Sequence, residues 1–320
     1  MIVMMEETRI LFMGTPDFAV PSLRALSREG YEIVGVVTQP DRPKGRGQKL
    51  CASSVKQEAL ALGLDIFQPT KIKDEQFIKM ISELNPQFII VVAFGQILPK
   101  DVLDLPQYGC INVHASLLPK YRGAAPIHRV IINGEQETGV TTMLMDKGLD
   151  TGDILLKEKV LIPLDMNCGE LHDLLAQKGA TLLVQTVEDL LNNRIQAVEQ
   201  DVAVASYAAM LERGDELINW HDTAITIHNQ IRGLDPWPGS YTTYENKQLK
   251  IRAAKLWETK TKPEKPGTVL EIVKGEGFVV QTGEGGILVT KVQPFGKRII
   301  PADSFMNGYN IKKGYVFSDV

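Results

Sequence analysis

Cysteine is scarce in this chain: Cys51, Cys110 and Cys168 are the only three in 320 residues. An odd count, wide spacing and no Cys-x-x-Cys pair exclude a disulfide framework and offer no thiolate set for structural zinc. A reducing compartment, the cytoplasm, is the expected setting. Long apolar runs are missing as well. None approaches the roughly 20 residues a membrane-spanning helix needs, and the N-terminus lacks the basic region, apolar run and cleavage site of a secretory leader. A surplus of positive charge is also absent: 35 Lys and Arg against 39 Asp and Glu leave a net charge of −4, which by itself argues against a nucleic-acid partner. The dinucleotide fingerprint is missing too. The first turn, Met13-Gly-Thr-Pro-Asp17, supplies one glycine of G-x-G-x-x-G, so a Rossmann cofactor site is excluded.

What is present is an alternation. With 44% hydrophobic residues the chain can bury a sizeable core, and its length favours two domains over one. Short apolar runs at Arg9–Met13, Ile33–Thr38, Phe88–Ala93, Cys110–His114, Thr138–Met145 and Ile154–Val160 read as strands. Between them Phe18–Arg28, Ser54–Leu62, Glu75–Leu84 and Ala125–Asn133 carry apolar positions at helical spacing, and Gly169–Asn192 follows as a longer helix. Strand and helix in turn predict an α/β domain with a doubly wound, mostly parallel, Rossmann-like sheet. The pattern changes after Asn192. Beyond a helical stretch at Thr223–Arg232, short strands at Gly267–Val273, Gly277–Thr282 and Ile287–Val292 are separated by Gly-rich turns, the signature of a small antiparallel barrel. The expected division is 1–194, a linker at 195–212, and 213–320. Residues 1–210 hold 20 Lys and Arg against 26 Asp and Glu, whereas residues 211–320 hold 15 against 13, so the positive share lies in the last third.

Chemistry concentrates where Cys110-Ile-Asn-Val-His114 ends and the chain breaks into Ser116, Leu117, Leu118 and Pro119. In an open α/β sheet the carboxyl ends of strands face the ligand crevice. Asn112 and His114, two apart, point to one side of the strand. An amide able to hold an oxyanion thus sits beside a base that titrates near neutrality. A Gly-punctuated loop at Met145–Asp153 adds Asp150, a carboxylate able to orient an imidazole or shuttle a proton; a turn-forming role for Asp150 is equally compatible with its local sequence. Arg42, Lys44, Arg46 and Lys49 cluster within one Gly-containing segment that has no apolar periodicity.

Asn112, His114, the Ser116–Pro119 run, Tyr121-Arg-Gly123 and Asp150 together resemble the folate-dependent formyltransferases. The likeness extends from Phe12–Phe18 through Thr38–Gly47 to Gly233–Gly239, nearly the whole chain. Asn112, His114 and Asp150 are shared across that family, while the basic loop and the Asp235-Pro-Trp-Pro-Gly239 turn are similar to its tRNA-acting branch. The resemblance implies an oligonucleotide-binding-like (OB-like) barrel for residues 213–320 as a tRNA-binding domain. It implies 10-formyltetrahydrofolate as co-substrate and initiator methionyl-tRNA as acceptor, with N-formylmethionyl-tRNA as product for translation initiation. It implies that Ser116, Leu117, Leu118 and Pro119 contact the folate, with Phe94, Ile97 and Leu98 walling its pterin, and that Arg42, Lys44, Arg46 and Lys49 meet the tRNA.

Formyl transfer needs an oxyanion donor, met by Asn112, and a proton handler, met by His114 with Asp150; no metal and no covalent nucleophile is called for. The expected protein is a monomer. A formyltransferase of the same family with another amine acceptor is the alternative. Asp235-Pro-Trp-Pro-Gly239 is expected to be a rigid turn whose Trp237 packs between the domains.

Overall fold

The computed structural model describes residues 8–44, 48–259, 262–309 and 311–317. It comprises two compact units, one of Met1–Gly123, Thr138–Val160 and His172–Tyr207, the other of Ala124–Glu137, Leu161–Leu171 and Ala208–Val320.

Up to Leu191 the strands are β1 (Arg9–Gly14), β2 (Glu32–Val37), β3 (Arg42–Lys44), β4 (Lys49–Cys51), β5 (Ile66–Phe67), β6 (Phe88–Val92), β7 (Cys110–His114), β8 (Glu137–Leu144) and β9 (Ile154–Leu161). The helices are α1 (Val20–Arg28), α2 (Ser54–Ala61), α3 (Glu75–Glu83), α4 (Lys100–Leu103), α5 (Pro126–Ile132) and α6 (Cys168–Leu191). Each of the six expected strands lies within a residue of its observed bounds. Seven strands form one sheet in the order β5-β2-β1-β6-β7-β8-β9. From β5 to β7 the pairings are parallel, and β8 meets β7 antiparallel. A strand covered on both faces has no polar side to show, and β6 is Phe-Ile-Ile-Val-Val with every residue buried.

Helix starts follow from side-chain caps: Ser53 accepts from the Lys56 N–H and Asp74 from those of Gln76 and Phe77. At α6, Asn167 and Glu170 each accept the other's backbone N–H at 2.9 Å, a reciprocal cap.

The chain runs outward from β1 to β2 and β5, then returns to β6 and β7, so the order reverses beside β1. The carboxyl ends of the strands next to such a reversal form the crevice of a doubly wound sheet. There the Thr15 hydroxyl donates to the Phe94 carbonyl at 2.9 Å. Ala93 and Gly95 follow β6 in left-handed conformation, at φ +46° and +87°.

The second unit is β-rich. Its strands are β10 (Tyr241–Tyr244), β11 (Lys247–Trp257), β12 (Val269–Val273), β13 (Gly277–Gln281), β14 (Gly286–Pro294) and β15 (Ile300–Pro301), with helices α7 (Ala224–Gly233) and α8 (Ala302–Tyr309). The path is β10-β11-β14-β13-β12, with β15 on β14, and all its ladders are antiparallel. β10 and β11 are joined through Glu245 and Asn246, both at positive φ, the backbone a two-residue type I′ hairpin requires. Trp220, Phe278, Phe305 and Phe317 lie at the centre of the core. Trp237 is 70% exposed. Its turn is held by its neighbours, since Arg252 pairs with Asp235 at 2.8 Å and donates to the Pro236 carbonyl at 2.6 Å.

Gly139 on β8 lies tightly against its neighbours. A Cβ there would lie 2.1 Å from the Glu158 carbonyl oxygen and 2.5 Å from Leu117 Cδ2. Gly139→Ala should therefore cost about 1–3 kcal/mol through overpacking, measured as a lowered urea midpoint; an unchanged midpoint contradicts this packing.

Candidate active site

His114 closes β7 and is 6% exposed. Its Nε2 lies 2.9 Å from the Tyr121 carbonyl oxygen. A carbonyl can only accept, so Nε2 carries the hydrogen and donates. In the neutral ring that leaves Nδ1 as the bare nitrogen, and Nδ1 faces Asp150 Oδ2 at 3.6 Å. Two acceptors therefore look at each other across a gap slightly too wide for a direct hydrogen bond. A proton arriving at Nδ1 relieves the mismatch, because the imidazolium then donates on both sides and lies against a carboxylate. Asn112, two residues back on the same strand face, is half-buried, and its amide has no hydrogen-bond partner among the described residues. The site thus contains a half-buried amide beside an imidazole whose bare nitrogen is defined.

Asp150 sits at φ +53° in the loop after β8. A non-glycine residue at positive φ is held there by its surroundings. The Gly123 N–H donates to Asp150 Oδ2 at 2.7 Å, and the Asp150 carbonyl accepts from Gln200 Nε2 at 2.9 Å. The Tyr121–Gly123 segment is pinned in turn by the chain after β9. The Tyr121 N–H donates to Ser206 Oγ and the Arg122 N–H to the Ser206 carbonyl, both at 2.9 Å. Residues 198–207, expected as part of a linker, back the loop that orients His114.

The Ser116–Pro119 run is braced from below. Ser116 is fully buried and its hydroxyl donates to the Lys120 carbonyl at 2.6 Å. Thr141 Oγ1 donates to the Ser116 carbonyl at 2.7 Å and accepts from the Leu118 N–H at 3.2 Å, while Lys157 Nζ donates to the Leu118 carbonyl at 2.5 Å. Leu118 is buried, whereas Leu117 and Pro119 are half-buried. Of the other three apolar residues, Phe94 and Leu98 belong to the core between the sheet and its helices, and Ile97 is 86% exposed.

Residues 8–187 match the family model described as "Formyl transferase", and residues 210–310 match "Formyl transferase, C-terminal domain". The methionyl-tRNA formyltransferase of Moorella thermoacetica is 52% identical over 312 residues, which covers 98% of this chain and 100% of that protein. That of Pelotomaculum thermopropionicum is 52% identical over 311 residues, 97% of this chain and 99% of the relative. The chain belongs to the methionyl-tRNA formyltransferase family. Among solved structures, a sugar 3N-formyl transferase, WlaRD, determined in the presence of dTDP and 5-N-formyl-THF, aligns with TM-score 0.65 at 23% identity, over 91% of this chain and 99% of that one. At that identity the match speaks for the fold alone.

In this formyltransferase three residues of the basic cluster fall on the antiparallel pair β3 and β4, in which Arg42 is opposite Cys51 and Lys44 opposite Lys49. Arg46 lies outside the described residues. Arg42 is exposed and donates to Gln39 Oε1 at 3.3 Å. The foot of this pair is fixed by Asp41, whose carboxylate accepts from Lys56 Nζ at 2.8 and 2.9 Å and from Gln68 Nε2 at 2.8 Å. Lys56 chiefly, then Gln68, hold the Asp41 carboxyl below its ordinary value. Sequence reading missed this foot, together with Gln200, Ser206, Thr141 and Lys157, which bring distant segments to the site. Their only local mark is polarity, which surface residues share.

A folded-state value below the unfolded one contributes stability above the unfolded carboxylate range, which is lost as pH falls. At neutral pH the foot is intact. Asp41→Asn should weaken it and quicken tryptic cleavage between Arg42 and Lys49 several-fold, followed by mass spectrometry; an unchanged cleavage rate contradicts the clamp.

Proposed function

We propose that this chain moves the formyl group of 10-formyltetrahydrofolate to the α-amino group of methionine esterified to initiator tRNA. One observation carries the reading: the half-buried Asn112 amide shares a strand end with the His114–Asp150 pair, in a chain that follows methionyl-tRNA formyltransferases along 98% of its length.

The chemistry is assigned to three residues. As the amine nitrogen bonds to the formyl carbon, charge develops on the formyl oxygen, and the Asn112 N–H donates to it. A donor aimed at developing charge is commonly worth about 3–4 kcal/mol at the transition state. The attacking nitrogen becomes cationic and gives a proton to His114 Nδ1, where Asp150 compensates the imidazolium charge. The bond from the formyl carbon to the folate nitrogen then breaks, and the proton passes from Nδ1 to that nitrogen, so one proton leaves the amine and one reaches the departing amine. No group on the protein is acylated.

The donor site is assigned to the carboxyl ends of β6 and β7. Leu117, Pro119 and Ile97 have the exposure to touch a bound folate. Ser116, Leu118, Phe94 and Leu98 support the backbone around it. The acceptor end of the tRNA is assigned to the segment that contains Arg42, Lys44, Arg46 and Lys49, where guanidinium and ammonium groups meet phosphates and base edges. Residues 1–194 are taken as catalytic, 195–212 as connector and 213–320 as a further tRNA-binding surface.

The test is direct. Incubated with 10-formyltetrahydrofolate and charged initiator tRNA, the protein should yield formyl-methionine on hydrolysis of the ester. Asn112→Ala and His114→Ala should each lower kcat by roughly 10²–10³-fold while binding folate nearly as the wild type does. Product formed on a nucleotide-linked amino sugar but not on tRNA would move the assignment to another acceptor, and near-normal turnover in either variant would overturn the residue roles.

A further inference from the structure

We propose that Gln200 is a positioning residue for the Asp150–His114 pair, joining the two backbone segments on which that pair rests; the inference deepens the formyl-transfer reading above. Gln200 is 4% exposed and stands far from Asp150 in sequence. Every polar atom of its side chain is engaged. Nε2 donates to the Asp150 carbonyl at 2.9 Å and to the Gly152 carbonyl at 2.7 Å. Oε1 accepts from Arg122 Nε at 3.0 Å and Nη2 at 2.8 Å.

These four contacts span the parts of the site that must keep register. Arg122 lies between Tyr121, whose carbonyl accepts from His114 Nε2, and Gly123, whose N–H donates to Asp150 Oδ2. The Asp150–Gly152 loop is the other side of the pair. Its backbone is left-handed at Asp150, and at Gly152 a Cβ would sit 1.8 Å from the Leu144 carbonyl oxygen. The loop therefore lies tightly against the end of β8 in a conformation its own residues do not favour, and Gln200 supplies its two buried donors. Only an amide offers two donors on one side and an acceptor on the other. A glutamate in that place would still accept from Arg122 but could donate to neither carbonyl. Arg122 itself is 3% exposed and finds Gln200 where a buried guanidinium ordinarily finds a carboxylate.

Gln200→Glu separates these halves, since it keeps and strengthens the contact with Arg122 while removing both donors to the Asp150 loop. The expected result is a fall in kcat of roughly 10²-fold, the usual consequence of a catalytic group displaced by about 1 Å, with KM for folate and for tRNA close to wild type. In an Asp150→Asn background the same change should cost less than about twofold, because a residue acting through Asp150 has nothing left to place. A purely structural role would instead give the same loss in both backgrounds, and that result, or an unchanged kcat, overturns the proposal. A second measurement needs no substrate: the Gly123 amide hydrogen, held by Asp150 Oδ2, should exchange faster in Gln200→Glu than in the wild type. Equal exchange rates also overturn the proposal. Should the wild type formylate no tRNA, the function reading fails on its own while the exchange comparison still decides the role of Gln200.

Discussion

The hydrogen bond from His114 Nε2 to the Tyr121 carbonyl determines which imidazole nitrogen is free to take a proton, and the rest of the site is arranged around that choice. With Nε2 committed to a carbonyl, Nδ1 is the acceptor, and the group it faces is Asp150. The neutral state leaves two acceptors opposed, whereas the protonated state satisfies both sides of the ring. That asymmetry suits a base that gains a proton during the reaction and must give it back. Asn112 needs no such coupling. Its position on β7 two residues from His114 places the amide and the imidazole on one face, and strand geometry alone accounts for that.

Holding Tyr121 in place is a tertiary task. The carbonyl belongs to a segment with no regular structure, so its position depends on what backs it: Ser206 through the Tyr121 and Arg122 backbone, and Gln200 through the Arg122 guanidinium. Gln200 also reaches the Asp150 loop, so the two segments flanking the imidazole are joined by one buried amide. Beneath them, Thr141 and Lys157 brace the Ser116–Pro119 run from β8 and β9. The reversal of strand order between β1 and β6 sets where the crevice opens, and β7, paired with β6, ends beside it.

Much of this was legible in the sequence because it was periodic or local. The parallel strands announce themselves as unbroken apolar runs, and Asn112-Val-His114 followed by a run ending in Pro119 reads as a strand end carrying chemistry. Asp150 was visible as one carboxylate of a Gly-rich loop, although the partner it meets was supplied by family resemblance. What local pattern could not show was which face a residue takes. Phe94, Ile97 and Leu98 are equally apolar on paper, yet Phe94 and Leu98 fill the core and Ile97 is exposed. Burial belongs to the partner surface and not to the side chain. β11 escaped notice because its ladder to β14 shifts register between Ile251 and Ala254, which breaks the alternation by which a strand is recognised. Gln200 and Ser206 carried no signal at all, as their roles exist only once chain segments remote in sequence are brought together.

The protonation state of the His114 ring can be observed directly. Protein labelled with ¹⁵N in its histidine rings should show, for the neutral form of His114, a protonated Nε2 and a bare Nδ1. A neutral His114 carrying its hydrogen on Nδ1 would contradict the donated bond to Tyr121 and, with it, the assignment of Nδ1 as the atom that takes the proton from the attacking amine.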